Sequence, residues 1–294
     1  MSGDEASWVE PGVLYLVPTP IGNLADWSPR AEAVVRNVDL VLAEDTRETG
    51  NLLRHFGIAT VQWSFHAHNW QKMVPIALER LKAGQSVALV ADRGMPAVSD
   101  PGRELVAAAL EAGVKVSPLP GPSAVTAAFA ASGYPHPFVF WGFLPSRGRE
   151  RAQILTAISA TAWTQLLFEA PHRLARTLGD LGEVLGPEHP LVVVREISKR
   201  HEEVWRGTLA EAQVNPQLQR GELVLVLGPR RPEVNTTVPD WALVVAEVQR
   251  EVAAGHAENE AVRLVARRHA ISRRELYQQV QAAKAATRPP SSAP

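Results

Sequence analysis

Val13-Leu14-Tyr15-Leu16-Val17 runs directly into Pro18-Thr19-Pro20-Ile21-Gly22-Asn23. Five apolar residues are too few for a helix and read as a strand buried on both faces. Two prolines around one residue, followed by a Gly-Asn turn, end it abruptly. Outward from this point, short apolar runs recur at 40–43, 61–65, 87–90 and 115–118. Amphipathic stretches at 31–38, 49–56, 73–83 and 104–112 lie between them, and Gly57, Gly84 and Gly113 stand where helices should stop. This alternation predicts a mainly parallel sheet covered by helices, over residues 12–134.

Tyr134-Pro135-His136-Pro137 reads as a linker, because proline stiffens it and ends the preceding helix. A second α/β block is expected over 138–230, with strands at 139–142, 165–168, 191–194, 204–208 and 223–227 and helices at 148–158 and 173–185. Its spacing is less regular, which implies some antiparallel pairing. Residues 229–239 read as a second linker. Beyond it the pattern is helical, at 241–254, 258–268 and 273–286, so a third region is expected over 239–288, with 290–294 disordered.

The chain has 294 residues, more than one domain of typical size. Hydrophobic residues make up 46% and charged residues 21%, which excludes a mostly disordered chain. A net charge of -1 excludes a uniformly basic nucleic-acid coat but leaves room for a local patch. With no cysteine there are no disulfides, thiolate metal sites or cysteine nucleophiles, and no metal site is expected. No signal peptide is expected in residues 1–12, nor a membrane span, since no apolar run nears the roughly 18 residues required. The cytoplasm is the expected compartment.

The common nucleotide-binding patterns, Gly-x-Gly-x-x-Gly after the first strand and Gly-x4-Gly-Lys-Ser/Thr, are missing. Chemistry is instead suggested where strands end, which is where open parallel sheets hold ligands. The 18–23 loop is either a stiff turn or a ligand loop. Ala43-Glu44-Asp45-Thr46-Arg47 is rich in charge, although Asp45 or Thr46 would also serve as a helix cap. In Ala91-Asp92-Arg93-Gly94-Met95-Pro96, Asp92 suits a ribose hydroxyl or a cation, and Gly94 permits close backbone approach. Ser99 or Asp100 is expected to cap the next helix. Pro118-Leu119-Pro120-Gly121-Pro122-Ser123-Ala124 leads into an alanine-rich helix whose free N–H groups would face a ligand, unless the alanines serve only close packing. Phe168-Glu169-Ala170-Pro171-His172-Arg173 closes a strand in the second block, and Ser146-Arg147-Gly148-Arg149 is a flexible basic loop suited to phosphate.

Taken together, Pro18 to Leu24, Ala43 to Arg47, Ser99 to Gly102, Pro118 to Pro122 and Glu169 to Arg173 resemble the small-subunit ribosomal RNA methyltransferase branch of the tetrapyrrole methylase superfamily. The resemblance runs in order over about 13–228. It implies two α/β domains of tetrapyrrole-methylase type with the cofactor cleft between them, followed by a small helical extension. It also implies S-adenosylmethionine as donor, 2′-O-methylation of a cytidine ribose in the decoding centre of 16S rRNA, and a homodimer. The family's Asp-Ala-Gly-Thr-Pro appears as Asp92-Arg93-Gly94-Met95-Pro96, so a thioether stands at position 95 where the family carries a hydroxyl.

On this reading Pro20, Ile21, Gly22, Asp92, Gly94, Pro96, Pro120, Ser123, Ala124 and Phe168 are expected to hold the cofactor. A weakly nucleophilic ribose hydroxyl calls for acid–base help. Glu169 and Lys199 are the expected groups, with Asp45 third, and Arg195 and Arg200 are expected to crowd the Lys199 ammonium. Arg47, Arg147, Arg149, His172, Arg173, Lys199, Arg273 and Arg274 are expected to meet RNA. Residues 263–288 carry seven basic residues and one acid, a local +6, and Ser272-Arg273-Arg274-Glu275 fits a capping box opening the second helix of a helix-turn-helix-like pair. Two rival readings are a tetrapyrrole methyltransferase acting on a small molecule and a non-catalytic RNA-binding module.

Overall fold

The computed structural model describes residues 8–230, 240–269 and 271–286. Most of the 229–239 linker, Ala270 of the turn, Arg288 and the 290–294 tail lie outside the described residues.

The first sheet contains β1 (Val13–Val17), β2 (Leu40–Ala43), β3 (Gln62–Ser64), β4 (Val87–Val90) and β5 (Lys115–Pro118), all parallel in the order β3-β2-β4-β1-β5. The three central strands are buried along their whole length, which is why they read as unbroken apolar runs. Around them lie α1 (Pro29–Asn37), α2 (Thr46–His55), α3 (Trp70–Lys82) and α4 (Arg103–Glu111). Helix starts precede the apolar repeat that marked them in the sequence. Ser28 caps α1 by accepting from Ala31 N, with Pro29 in its first turn, and Asp45 caps α2 by accepting from Arg47 N.

After β5, α5 (Ala124–Ser132) leaves the first sheet and packs on the second. Val125 and Ala128 are buried against Leu166, Val192, Val194, Val224 and Val226, so the alanines do permit close helix–sheet packing. The second sheet contains β6 (Phe138–Phe143), β7 (Thr164–Glu169), β8 (Pro190–Arg195), β9 (Glu203–Thr208) and β10 (Leu223–Leu227), in the order β6-β7-β10-β8-β9. Only β6 and β7 are parallel, joined by α6 (Arg149–Ala160), while the other pairs run antiparallel. α7 (Pro171–Leu185) and the short α8 (Leu209–Gln213) bury the opposite face, where Leu174, Leu178 and Leu181 meet Leu167, Val193 and Leu225. Both sheets belong to one compact unit.

Residues 231–294 form a second unit. Its helices α9 (Trp241–Ala253), α10 (Glu258–Arg268) and α11 (Arg273–Ala286) share a core that includes Val244, Val248, Val262, Val265, Leu276 and Val280. Glu275 N donates to Ser272 Oγ at 3.4 Å, the first half of the expected capping box. Among the described residues, no helix is long and apolar enough to cross a membrane.

Candidate functional site

The loop after β1 is rigid. Thr19 N donates to Gly94 O at 3.0 Å and Gly94 N returns to Thr19 O at 3.1 Å. Thr19 Oγ1 donates to Ala91 O at 3.0 Å, and Trp27 Nε1 to Pro18 O at 3.1 Å. The loops after β1 and β4 are thereby clamped together. The loop after β5 closes on them, since a Cβ on Gly121 would collide with the Pro18 ring and one on Gly94 would lie 3.8 Å from Pro122 O.

Between these loops and the second sheet lies a cleft of about 540 Å³. Ile21, Ala124, Phe143, Phe168 and Val224 give it apolar walls, and Glu44, Asp92, Asp100 and Glu169 give it acids. The Phe143 and Phe168 rings stand 5.4 Å apart. Ile21, Asp92, Ala124 and Phe168, expected from the sequence to hold a cofactor, therefore share one wall system. Pro20 and Gly22 line an adjoining cavity of about 470 Å³ together with Lys199. Gly94 and Pro96 are buried beneath, and Pro120 and Ser123 belong to the loop leading into α5.

Three carboxyls from two loops converge here, Glu44 after β2 and Asp92 and Asp100 after β4. Burial, reinforced by Asp92, raises Glu44. Burial, with the charges of Asp45 and Glu48, raises Asp92, although the Asp45 N–H donated to its Oδ1 at 2.9 Å opposes this. Burial, then the charges of Glu44 and Asp92, pushes Asp100 up to about 7. The expected capping role of Ser99 or Asp100 is corrected: Gly102 occupies the N-cap of α4, with no side-chain cap. Positive φ at Ala97 (65°) and Ser99 (67°) re-aims the loop, and Asp100 lines the cleft instead.

Glu169 is only 2% exposed and fully engaged. It accepts from Ala170 N at 2.8 Å and from the Thr177 hydroxyl, and Arg173 Nε lies 3.6 Å away. Thr177 in turn accepts from Arg151, a buried arginine held by Asp180 at 2.6 Å. Arg173 also donates to Leu144 O, so it faces inward, whereas Arg147, Arg149 and His172 are exposed. Thr177→Val removes the hydroxyl that links Arg151 to Glu169 and should destabilise the fold by about 1–3 kcal/mol in chemical denaturation.

Asp45 is tied to Arg47, whose side-chain and backbone hydrogen bonds hold its carboxyl down to about 2. Lys199 lies against the Gly22 turn, with Glu196 at 2.9 Å and Glu222 at 3.1 Å. Of the two arginines expected beside Lys199, Arg195 is engaged with Glu203 at 2.8 Å, and Lys199 itself is ion-paired with two carboxylates. The family departures find local explanations. Met95 packs on the core of the first sheet, and Arg93 pairs with Glu222, tying the two sheets across the cleft.

The tetrapyrrole (corrin/porphyrin) methylase family model matches residues 13–213, from β1 through β9 and α8. The chain belongs to the tetrapyrrole methylase family. The methylase is 46% identical over 270 residues to "Ribosomal RNA small subunit methyltransferase I" of a Synechocystis strain, covering 91% of this chain and 96% of the relative. It is 40% identical over 271 residues to the protein of the same name from Vibrio cholerae, covering 90% and 93%. Its fold is similar to uroporphyrin-III C-methyltransferase from Thermus thermophilus, solved with S-adenosylhomocysteine, at a TM-score of 0.52 and 20% identity over 73% of this chain and 96% of that one. The methylase is thus an enzyme of methyl transfer.

The cleft fits an S-adenosylmethionine donor on its own chemistry. An aromatic pair offers a face to a flat base, and three clustered carboxyls suit a cationic sulfonium and ammonium. Ligand pockets commonly span about 300–1,000 Å³, so the volume is adequate.

Proposed function

We propose that the methylase transfers a methyl group from S-adenosylmethionine to the 2′-oxygen of a cytidine ribose in the decoding centre of 16S rRNA, in the cytoplasm and as a homodimer. The observation that carries the reading is the acid-walled, aromatic-lined cleft at the strand ends of a chain whose relatives carry a ribosomal RNA methyltransferase name.

When bound, the donor supplies an already activated methyl group, so the protein's work is alignment. Glu44, Asp92 and Asp100 hold positive charge against one wall. Lys199, ion-paired with Glu196 and Glu222, donates a hydrogen bond to the acceptor oxygen, and the departing proton passes to one of these carboxylates. Glu169 keeps the Phe168 strand end in place through its buried network. Asp45, held ionised by Arg47, is a poor base and serves as a cap. Alanine variants at Glu169, Lys199 and Asp45, assayed for turnover beside donor affinity, distinguish these roles.

RNA contact is assigned to Arg47, Arg147, Arg149 and His172 and to the helical unit. There the local +6 is partly spent internally, because Arg268 pairs with Glu247 and Glu251, Arg263 with Glu260 and Lys284 with Glu258. Arg267, Arg273 and Arg274 are exposed and supply the phosphate-facing charge. Deleting residues 239–294 should raise the KM for RNA about tenfold and leave donor affinity within about twofold. Labelled methyl transfer, offered 30S particles, naked 16S rRNA and uroporphyrinogen in parallel, tests the reading. Transfer to the tetrapyrrole alone, or to a base rather than a ribose, overturns it.

A further inference from the structure

The cleft is not the whole of the site. The adjoining cavity of about 470 Å³ is separated from it by the loop after β1, for Ile21 lines the cleft while its neighbours Pro20 and Gly22 line the second cavity. Three residues, Glu48, Asp92 and Arg93, belong to both walls, so the two spaces meet along that line. A two-substrate transfer requires this arrangement, with donor and acceptor in separate compartments that open onto each other where the group passes.

The second cavity has the lining of a recognition pocket. Leu24 and Leu52 give it apolar sides, and α2 contributes Glu48, Thr49, Asn51 and His55. Thr49 is only 3% exposed, and its hydroxyl has no hydrogen-bond partner among the described residues. A buried hydroxyl left unpaired costs stability, and such groups are rare unless a ligand completes them. Glu48 would accept from an exocyclic amine, and a threonine hydroxyl or an asparagine amide pairs with either kind of base edge. One residue before Glu48, the Arg47 side chain is 88% exposed, placed for a phosphate.

We propose that this second cavity receives the base and ribose of the acceptor nucleotide, turned out of its RNA strand. The proposal rests on the functional reading above and adds where the acceptor sits and which side chains select it. Thr49 completes its hydrogen bonding on the base, Leu24 and Leu52 flank the ring, and Lys199, on the same wall, meets the ribose. Turning the nucleotide out has an unstacking cost, which the polar lining offsets for the matching base only.

The test uses the full chain with 30S particles and labelled donor, reading kcat, KM for RNA and, by calorimetry, donor Kd. Thr49→Val, of similar volume but without the hydroxyl, should raise KM for RNA about tenfold, and Thr49→Ser should restore it. Leu52→Trp fills the cavity and should abolish transfer while donor Kd stays within about twofold. If Leu52→Trp does not fold, as judged by thermal melting, the Thr49→Val and Thr49→Ser pair decides. Loss of donor binding in Leu52→Trp assigns the cavity to the cofactor and overturns the proposal, as does wild-type transfer by both Thr49→Val and Leu52→Trp. A wild-type protein that binds donor yet methylates no ribosomal RNA marks failure of the functional reading itself.

Discussion

Asp100→Asn should bind S-adenosylmethionine about tenfold more weakly than wild type at pH 8 and equally well at pH 6. The reason is the company Asp100 keeps. Burial, then the charges of Glu44 and Asp92, lifts its carboxyl from 3.8 to about 7. At pH 6 the wild-type side chain is protonated and differs little from the amide. At pH 8 it is ionised and faces the cation, so wild-type donor affinity rises as pH passes through 7 while that of the variant stays flat. S-adenosylhomocysteine has no sulfonium and should show a smaller rise. The other charged groups of the cleft wall are Glu48, Arg93, Glu169 and Glu222, and Arg93 and Glu222 neutralise each other. Calorimetry at both pH values checks the result, and equal affinities of the two proteins at pH 8 would remove Asp100 from the donor site.

The same carboxyl has a stability signature. Its folded pKa lies above the unfolded value, so the folded state holds a proton that the unfolded state releases between about pH 4 and 7. Stability of the ligand-free protein therefore falls as pH rises through that window. Asp100→Asn lacks this slope and should exceed wild type by about 2 kcal/mol at pH 8, a value discounted from the full shift because the group is partly exposed. A variant that is more stable yet binds less donor is the pattern expected of a residue kept for function.

Gly22→Ala should reduce methyl transfer by about a hundredfold at saturating substrate, because a Cβ there collides with Lys199 Cγ. The backbone at Gly22 has φ of 157°, a region L side chains rarely adopt, so the turn cannot simply tilt to make room. Lys199 would be driven from its seat between Glu196 and Glu222. Lys199→Ala should show a comparable loss of kcat, and the double variant should lose little more than either single one, since both remove the same contact. Additive losses in that cycle would separate the turn from the lysine. Donor affinity should change little in each variant, because neither residue lines the donor cleft.

Much of the first sheet was legible because its three central strands are buried on both faces. The runs at 13–17, 40–43, 87–90 and 115–118 match β1, β2, β4 and β5 residue for residue. Helix starts fall earlier than the sequence suggests, as at α1 and α7, because the apolar repeat begins only after Pro29 and Pro171, which open the first turn. Strand order in the second sheet was not legible. β10 inserts between β7 and β8, a pairing over long sequence separation that no local pattern records.

Within the site, the loops at strand ends were recognisable from their prolines, glycines and charges. Asp100 was misread because Ser-Asp before an apolar run has the same pattern as a helix cap, and only the positive φ at Ala97 and Ser99 turns it elsewhere. Arg173 was read as an RNA contact, yet its guanidinium faces Glu169 and Leu144 O. Arg151 and Thr49 carried no motif at all.

Sequence alone determined the strands of the first sheet, the alternation with helices, the loops on which chemistry would fall and the family to which the chain belongs. Apolar periodicity and turn residues act over a few positions, and those are local properties. Only the tertiary structure decided which charges are free, which are buried and which meet. Glu44 follows β2 whereas Asp92 and Asp100 lie eight positions apart in the loop after β4, and their proton affinities depend on desolvation and mutual distance, which exist only once the sheets have closed around them.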